Sequence, residues 1–236
     1  MLSRNLLYRN FVSRFAWRQN PMRPRLVLLA VLVFSLLLVS SAFADTVHMH
    51  YLGGTNGGIG PYPVYPYKFN INNSTTVTNL ICDSYNNQVR IGENWNATVT
   101  PLLAGIGLFG PTNSLDYKAA GLIFKSMLSG TVTATTAQWA IWGLFAANAT
   151  TQPTFTLVGA GAVEVQYLAL AATAPNSAYA GLLVYTPIGG TQSWKDGGLP
   201  QEFIGYSPVP EPSSLMLLGT GLVGLAGAAR RKFAKV

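Results

Sequence analysis

Two uncharged apolar runs, each set against basic residues, bracket a chain middle of very different composition, and they constrain this sequence more than any other feature. Residues 26–39 follow Arg23 and Arg25 and lead into Ser40-Ser41-Ala42-Phe43-Ala44-Asp45. A basic lead, an apolar core and a small-residue site in that order form a secretory signal. Ala42 and Ala44 suit the narrow pockets of a signal peptidase, so residues 1–44 read as a signal peptide cut after Ala44. A core of fourteen residues is short for a membrane anchor, which needs ~20. Met22 opens a compact signal by itself and is an alternative translation start.

The second run, residues 213–229, follows Val209-Pro210-Glu211-Pro212 and precedes Arg230-Arg231-Lys232. Its seventeen uncharged residues just suffice for a single transmembrane helix. The basic cluster should stay cytoplasmic, which leaves the chain middle outside the inner membrane. Gly219, Gly221 and Gly224 match a dinucleotide-binding pattern. With no preceding strand and no acid further on, they read instead as close-packing positions of a membrane helix.

Ten of the fifteen basic residues lie in these two ends. Between Asp45 and Pro208, Lys68, Arg90, Lys118, Lys125 and Lys195 face seven acids, a net charge of −2. The overall +7 therefore belongs to the terminal signals. A nucleic-acid partner is not expected, because a binder needs its cations clustered on the folded part, where they displace counterions from phosphates.

The 164 residues of 45–208 are enough for one core. Alternation predicts strands over 46–52, 64–71, 179–185 and 202–206, and a hairpin of 78–85 with 88–91 around Asn86-Asn87. Helical spacing predicts helices over 114–128, 136–147 and 163–172. Strands at both ends around a helical middle make an α+β fold, a β-sandwich or barrel with helices attached.

Few residues offer chemistry. His48 and His50 share one side of a strand, yet no cysteine or acid stands nearby to complete a metal site. No serine sits in a hydrolase elbow, and the glycines of 53–60 lack the Lys-Ser/Thr of a phosphate loop. The reading is a protein without cofactor or turnover catalysis. Asn72, Asn73, Asn96 and Asn148 begin sequons that read as ordinary turn and strand polar residues. Tyr51, Tyr62, Tyr65 and Tyr67 offer rings on which sugars stack, or else half-buried packing groups. Cys82 is the single cysteine, so no internal disulfide forms, and an exported lone thiol invites oxidation unless it is buried or used.

Two resemblances add to this reading. The Pro-Glu-Pro motif, the short apolar helix and the basic cluster over 209–236 resemble the PEP-CTERM sorting domain of Gram-negative bacteria. That resemblance implies recognition by an exosortase, removal of the helix, and transfer to the cell envelope or to the exopolysaccharide matrix of a biofilm. Within the middle, Leu80-Ile81-Cys82-Asp83 and Thr136-Ala137-Gln138-Trp139-Ala140-Ile141-Trp142 resemble the bacterial thioester domains of surface adhesins, with Ala137 where the motif has threonine. This second resemblance implies that the Cys82 sulfur displaces ammonia from the Gln138 side chain, and that the resulting thioester acylates amines or hydroxyls on a target. The expected role is thus structural or adhesive, with covalent adhesion and polysaccharide binding as alternatives. Signal peptidase, exosortase and the membrane are the expected partners, and surface amines or polysaccharide the further ones.

Overall fold

The structure, a computed structural model, describes residues 45–56, 62–105, 107–195 and 198–207, together with 221. The signal peptide, Ala42 and Ala44, the sorting motif Val209 to Pro212, Arg230, Arg231 and Lys232 lie outside these residues, as does all of the expected membrane helix except Gly221. Among the described residues no helix is long and apolar enough to cross a membrane.

Six antiparallel strands close into a barrel in the order β1-β2-β3-β6-β5-β4. They are β1 (Asp45–Asn56), β2 (Pro63–Ile71), β3 (Val77–Cys82), β4 (Asn94–Pro101), β5 (Leu182–Pro187) and β6 (Phe203–Tyr206). Closure removes the unpaired edges that an open sheet would expose. Between β4 and β5 the chain makes helices α1 (Ser114–Leu128), α2 (Ala134–Phe145), α3 (Ala147–Thr150), α4 (Pro153–Leu157) and α5 (Ala160–Thr173). The α+β reading with a helical middle therefore holds, and the sheet is a barrel.

The barrel interior is aromatic. Phe69 lies 4.8 Å from Phe203 and 5.8 Å from Trp95, ring centre to ring centre, and Tyr51 lies 5.2 Å from Phe69. Period-two alternation puts Met49 and Tyr51 of β1 inside and His48 and His50 outside. Each large side chain buried this way contributes roughly 1.5–3 kcal/mol. The helices form a second layer in which α1, α2 and α5 pack on one another. Gly121 of α1 sits tight on the barrel, since a Cβ there would lie 2.8 Å from Leu182 Cδ1 and 3.0 Å from Leu102 Cδ1. Tyr65 meets Phe124 of α1 at 5.7 Å on the same side.

The structure departs from the sequence reading in two strands. No strand forms over 88–91, and β3 pairs with β2 and β6 in place of the expected hairpin. Asn86 and Asn87 are occupied elsewhere: Asn148 Nδ2 donates to Asn86 Oδ1 at 2.7 Å, and Asn87 Nδ2 donates to the Pro200 carbonyl at 3.1 Å. The strand that the reading lacked is β4, whose Trp95 and Ala97 point inward between exposed or half-buried polar residues.

Candidate functional site

Cys82 ends β3 and is fully buried. Its register partner on β6 is Phe203, so the end of β3 is held against the aromatic interior. Thr133 caps α2 by accepting from the Thr136 backbone N–H, the usual way an N-terminal hydroxyl satisfies an orphan donor. That start places Gln138 and Trp142, one turn apart, on the same helix face. Both reach Cys82. Gln138 Nε2 donates to the Cys82 carbonyl at 2.5 Å, and Trp142 Nε1 donates to Cys82 Sγ at 3.4 Å. The sequence-predicted pair, Cys82 and Gln138, is therefore brought together, with both side chains at 0 % exposure.

The environment is dry. Trp139 and Trp142 meet edge to face at 5.1 Å, Tyr85 lies 5.3 Å from Trp142, and Tyr62 lies 6.0 Å from Trp139. Trp142 covers the sulfur on its helix side, and the other rings pack around Trp142 and Trp139. Burial, and secondarily the neighbouring Asp83, push the Cys82 thiol well above its ordinary pKa, only partly offset by hydrogen bonds from Trp142 and with Ser84. The thiol is thus neutral at physiological pH and protected from oxidants that need thiolate. Gln138 Oε1 is buried and has no hydrogen-bond partner among the described residues.

One residue further along lies a polar cluster that the sequence reading missed. Continuing the β3–β6 register from Cys82↔Phe203 sets Asp83 opposite Glu202, and the Asp83 N–H donates to the Glu202 carbonyl at 3.3 Å. Both carboxyls are at 0 % exposure. Glu202 is fully served: it accepts from Tyr117 Oη at 2.5 Å, Thr186 Oγ1 at 2.5 Å and the Leu108 N–H at 2.6 Å. No donor reaches either oxygen of Asp83 among the described residues. Burial, then the charge of Glu202, hold the Asp83 carboxyl well above the carboxylate range, which favours its protonated form. The only sequence hint was an acid at the end of an apolar stretch at each position, Asp83 after Leu80-Ile81-Cys82 and Glu202 before Phe203-Ile204.

A cleft of about 350 Å³ adjoins this site, lined by Ser84, Tyr85, Asn86, Phe109, Ala146 and Leu199 among others. Ser84 connects the two, because its carbonyl accepts the Cys82 thiol at 3.7 Å and its hydroxyl accepts the Glu202 N–H at 2.7 Å.

The other candidates fall elsewhere. His50 Nδ1 lies 2.8 Å from Asn94 Oδ1 and His48 Nδ1 3.4 Å from Asn96 Oδ1, making two His–Asn pairs across β1 and β4. Among the described residues no group of three or more His, Cys, Asp or Glu gathers as metal ligands would. Tyr51 and Tyr67 are packed inside the barrel and Tyr65 is half-buried against α1, so the four tyrosines do not share a sugar-facing surface.

Comparison with known proteins adds a sorting signal. Residues 208–232 match the PEP-CTERM protein-sorting motif. The chain thus carries the signal of an exported protein destined for processing at the membrane by an exosortase. Among solved structures, the chain is similar to the N-terminal thioester domain of a surface protein from Clostridium perfringens, with 13 % identity and a TM-score of 0.40, over 70 % of this chain and 100 % of that one. No curated protein matches the sequence.

Proposed function

We propose that this exported protein attaches covalently to a target through an internal thioester between Cys82 Sγ and the side-chain carbonyl carbon of Gln138. The observation that carries the reading is the contact of the Gln138 amide with Cys82, two fully buried residues far apart in the chain. In closure, sulfur bonds to the amide carbon, the carbon–nitrogen bond breaks, and the thiol proton leaves with the nitrogen as ammonia. An acyl–sulfur bond lasts only where water is excluded, and the rings of Trp139, Trp142, Tyr85 and Tyr62 exclude it here. Attack by an amine or hydroxyl then acylates the attacker and returns the thiol. The event is stoichiometric self-acylation, not turnover. Ser84 and Tyr85 link the thiol to the cleft, which serves as the approach for an acceptor.

The tail supplies the location for such a device. In this account the helix of residues 213–229 holds the protein in the inner membrane until the exosortase acts at Val209-Pro210-Glu211-Pro212, and the released domain then resides in the envelope or extracellular matrix. The test is the intact mass of the exported chain before and after methylamine. A chain one ammonia lighter than its sequence, gaining one methylamine, supports the reading. A chain of unmodified mass with a thiol that titrates fully on denaturation makes the Cys82–Gln138 contact a packing feature only.

A further inference from the structure

Closing the proposed thioester poses a proton problem that the Cys82–Gln138 pair does not solve. The thiol is neutral and must lose its proton to attack, and amide nitrogen is a poor leaving group until it gains one. Within the buried site, Trp142 offers a donor to sulfur and Ser84 a carbonyl and a hydroxyl, none of which is an acid or base near neutral pH. The Asp83–Glu202 pair has both capacities at once. Glu202, with three donors on its oxygens, has the hydrogen bonding of a carboxylate, and Asp83, with none, has that of an acid. Asp83 is fully buried and its backbone pairs with Glu202 across the strands, and burial together with the charge of Glu202 favours its protonated form.

Asp83 directly follows the residue that Gln138 contacts, and its charge is felt at the Cys82 thiol. The carbonyl that accepts from Gln138 Nε2 belongs to the peptide bond joining Cys82 to Asp83. A packing role alone does not explain an aspartic acid here, because a buried carboxyl without partners among the described residues costs free energy that an apolar residue would avoid.

We propose that the Asp83–Glu202 pair is the proton relay of the thioester: Asp83 gives its proton to the departing Gln138 nitrogen, and the pair takes the Cys82 proton in exchange. The sulfur–carbon bond forms, the carbon–nitrogen bond breaks, ammonia leaves, and the pair ends with the one proton it began with. In the reverse sense, Asp83 protonates the sulfur released by an attacking amine, and the amine's surplus proton returns to the pair. Among the titratable groups around Asp83, Glu202 before β6 raises its proton affinity, and Tyr117 of α1 and Cys82 of β3 feel its charge in turn. This inference rests on the thioester reading.

The experiment compares the full exported chain with Asp83→Asn and Glu202→Gln, both close in shape to the native residues. Ammonia loss is read by intact mass, and methylamine uptake by rate from pH 5 to 9, corrected for free amine. General acid–base assistance contributes ~10²–10⁴-fold. The expected result is a native chain that is ammonia-deficient, variants that are mostly open or at least tenfold slower, and a fall of the native rate with rising pH that Asp83→Asn abolishes. Near-ultraviolet circular dichroism of Trp95, Trp139 and Trp142 checks that the variants fold, and the pH profile of the native chain needs no variant. A native chain that is ammonia-deficient, with variants equally closed and a pH profile shared by all, overturns the relay and leaves the thioester standing. A native chain with no ammonia loss removes both.

Discussion

The indole N–H of Trp142 lies 3.4 Å from the sulfur of Cys82, one helical turn beyond the glutamine whose amide nitrogen touches the carbonyl of the same cysteine. A single face of α2 therefore grips both ends of one residue. This double contact fixes where the thiol stands relative to the Gln138 amide carbon. It also places the best water-excluding side chain of the helix directly on the sulfur.

Trp142→Phe keeps an aromatic ring and removes the donor to sulfur. Loss of the indole volume and hydrogen bond in a buried site should cost about 1–3 kcal/mol in chemical denaturation. The same change should speed the loss of the thioester to water, followed by the appearance of free thiol over time.

Cys82→Ala and Gln138→Ala should each abolish ammonia loss and surface attachment while the barrel still forms. Neither residue carries the aromatic interior of Phe69, Trp95 and Phe203. Attachment of labelled protein to cells or matrix, resistant to boiling in detergent, is the readout. Unchanged attachment by Cys82→Ala would point to reversible adhesion.

Tyr117→Phe takes one donor from buried Glu202 and strands the Phe109 N–H, which donates to Tyr117 Oη at 3.2 Å. The expected loss is about 1–3 kcal/mol, measured as a lower denaturation midpoint with unchanged slope. Because Tyr117 ties α1 to the residue preceding β6, the loss should appear as earlier opening of the helical layer in hydrogen exchange.

Glu164 on α5 gives the domain a second pH response, away from the thiol. Burial, then the neighbouring Asp116, raise its pKa from 4.5 to about 7, and its Oε1 is buried without a hydrogen-bond partner among the described residues. The carboxyl lies against Gly143 of α2, where a Cβ would collide with it. The folded chain thus holds a proton that the unfolded chain has released, so stability is full below pH 4.5 and falls as pH rises through 7. Glu164→Gln should flatten that part of a stability profile measured by denaturant between pH 4 and 8.

The parts of this fold that were legible in the sequence are those set by local periodicity. The alternation of Val47, Met49 and Tyr51 gives β1, and the spacing of Ala119, Ile123 and Met127 gives α1. Register was not legible. Asn86-Asn87 has the look of a tight turn, yet its side chains bond to Asn148 of the helical layer and to Pro200 ahead of β6, partners that only the tertiary fold brings near. β4 was hidden because its outward positions are Asn94 and Asn96, residues with turn chemistry, and its inward Ala97 is small.

The site divides in the same way. Cys82 stands out as the single cysteine and Gln138 through the resemblance of residues 136–142 to thioester domains, both local signals. Asp83 and Glu202 meet only through β3–β6 pairing, and a buried acid pair has no short sequence signature. The tyrosines show the converse failure. Tyr51, Tyr62, Tyr65 and Tyr67 look like a ligand face in one dimension, and the barrel distributes them between its core, its helix contact and the aromatic cover over Cys82.

The most direct test is fragmentation mass spectrometry of the full exported chain after methylamine treatment, with the thiol labelled before and after. The account predicts a methylamide on Gln138 and on no other glutamine, with one thiol appearing at Cys82 in step with it. A Cys82 that labels fully in the denatured chain before treatment, beside an unmodified Gln138 afterwards, would contradict it.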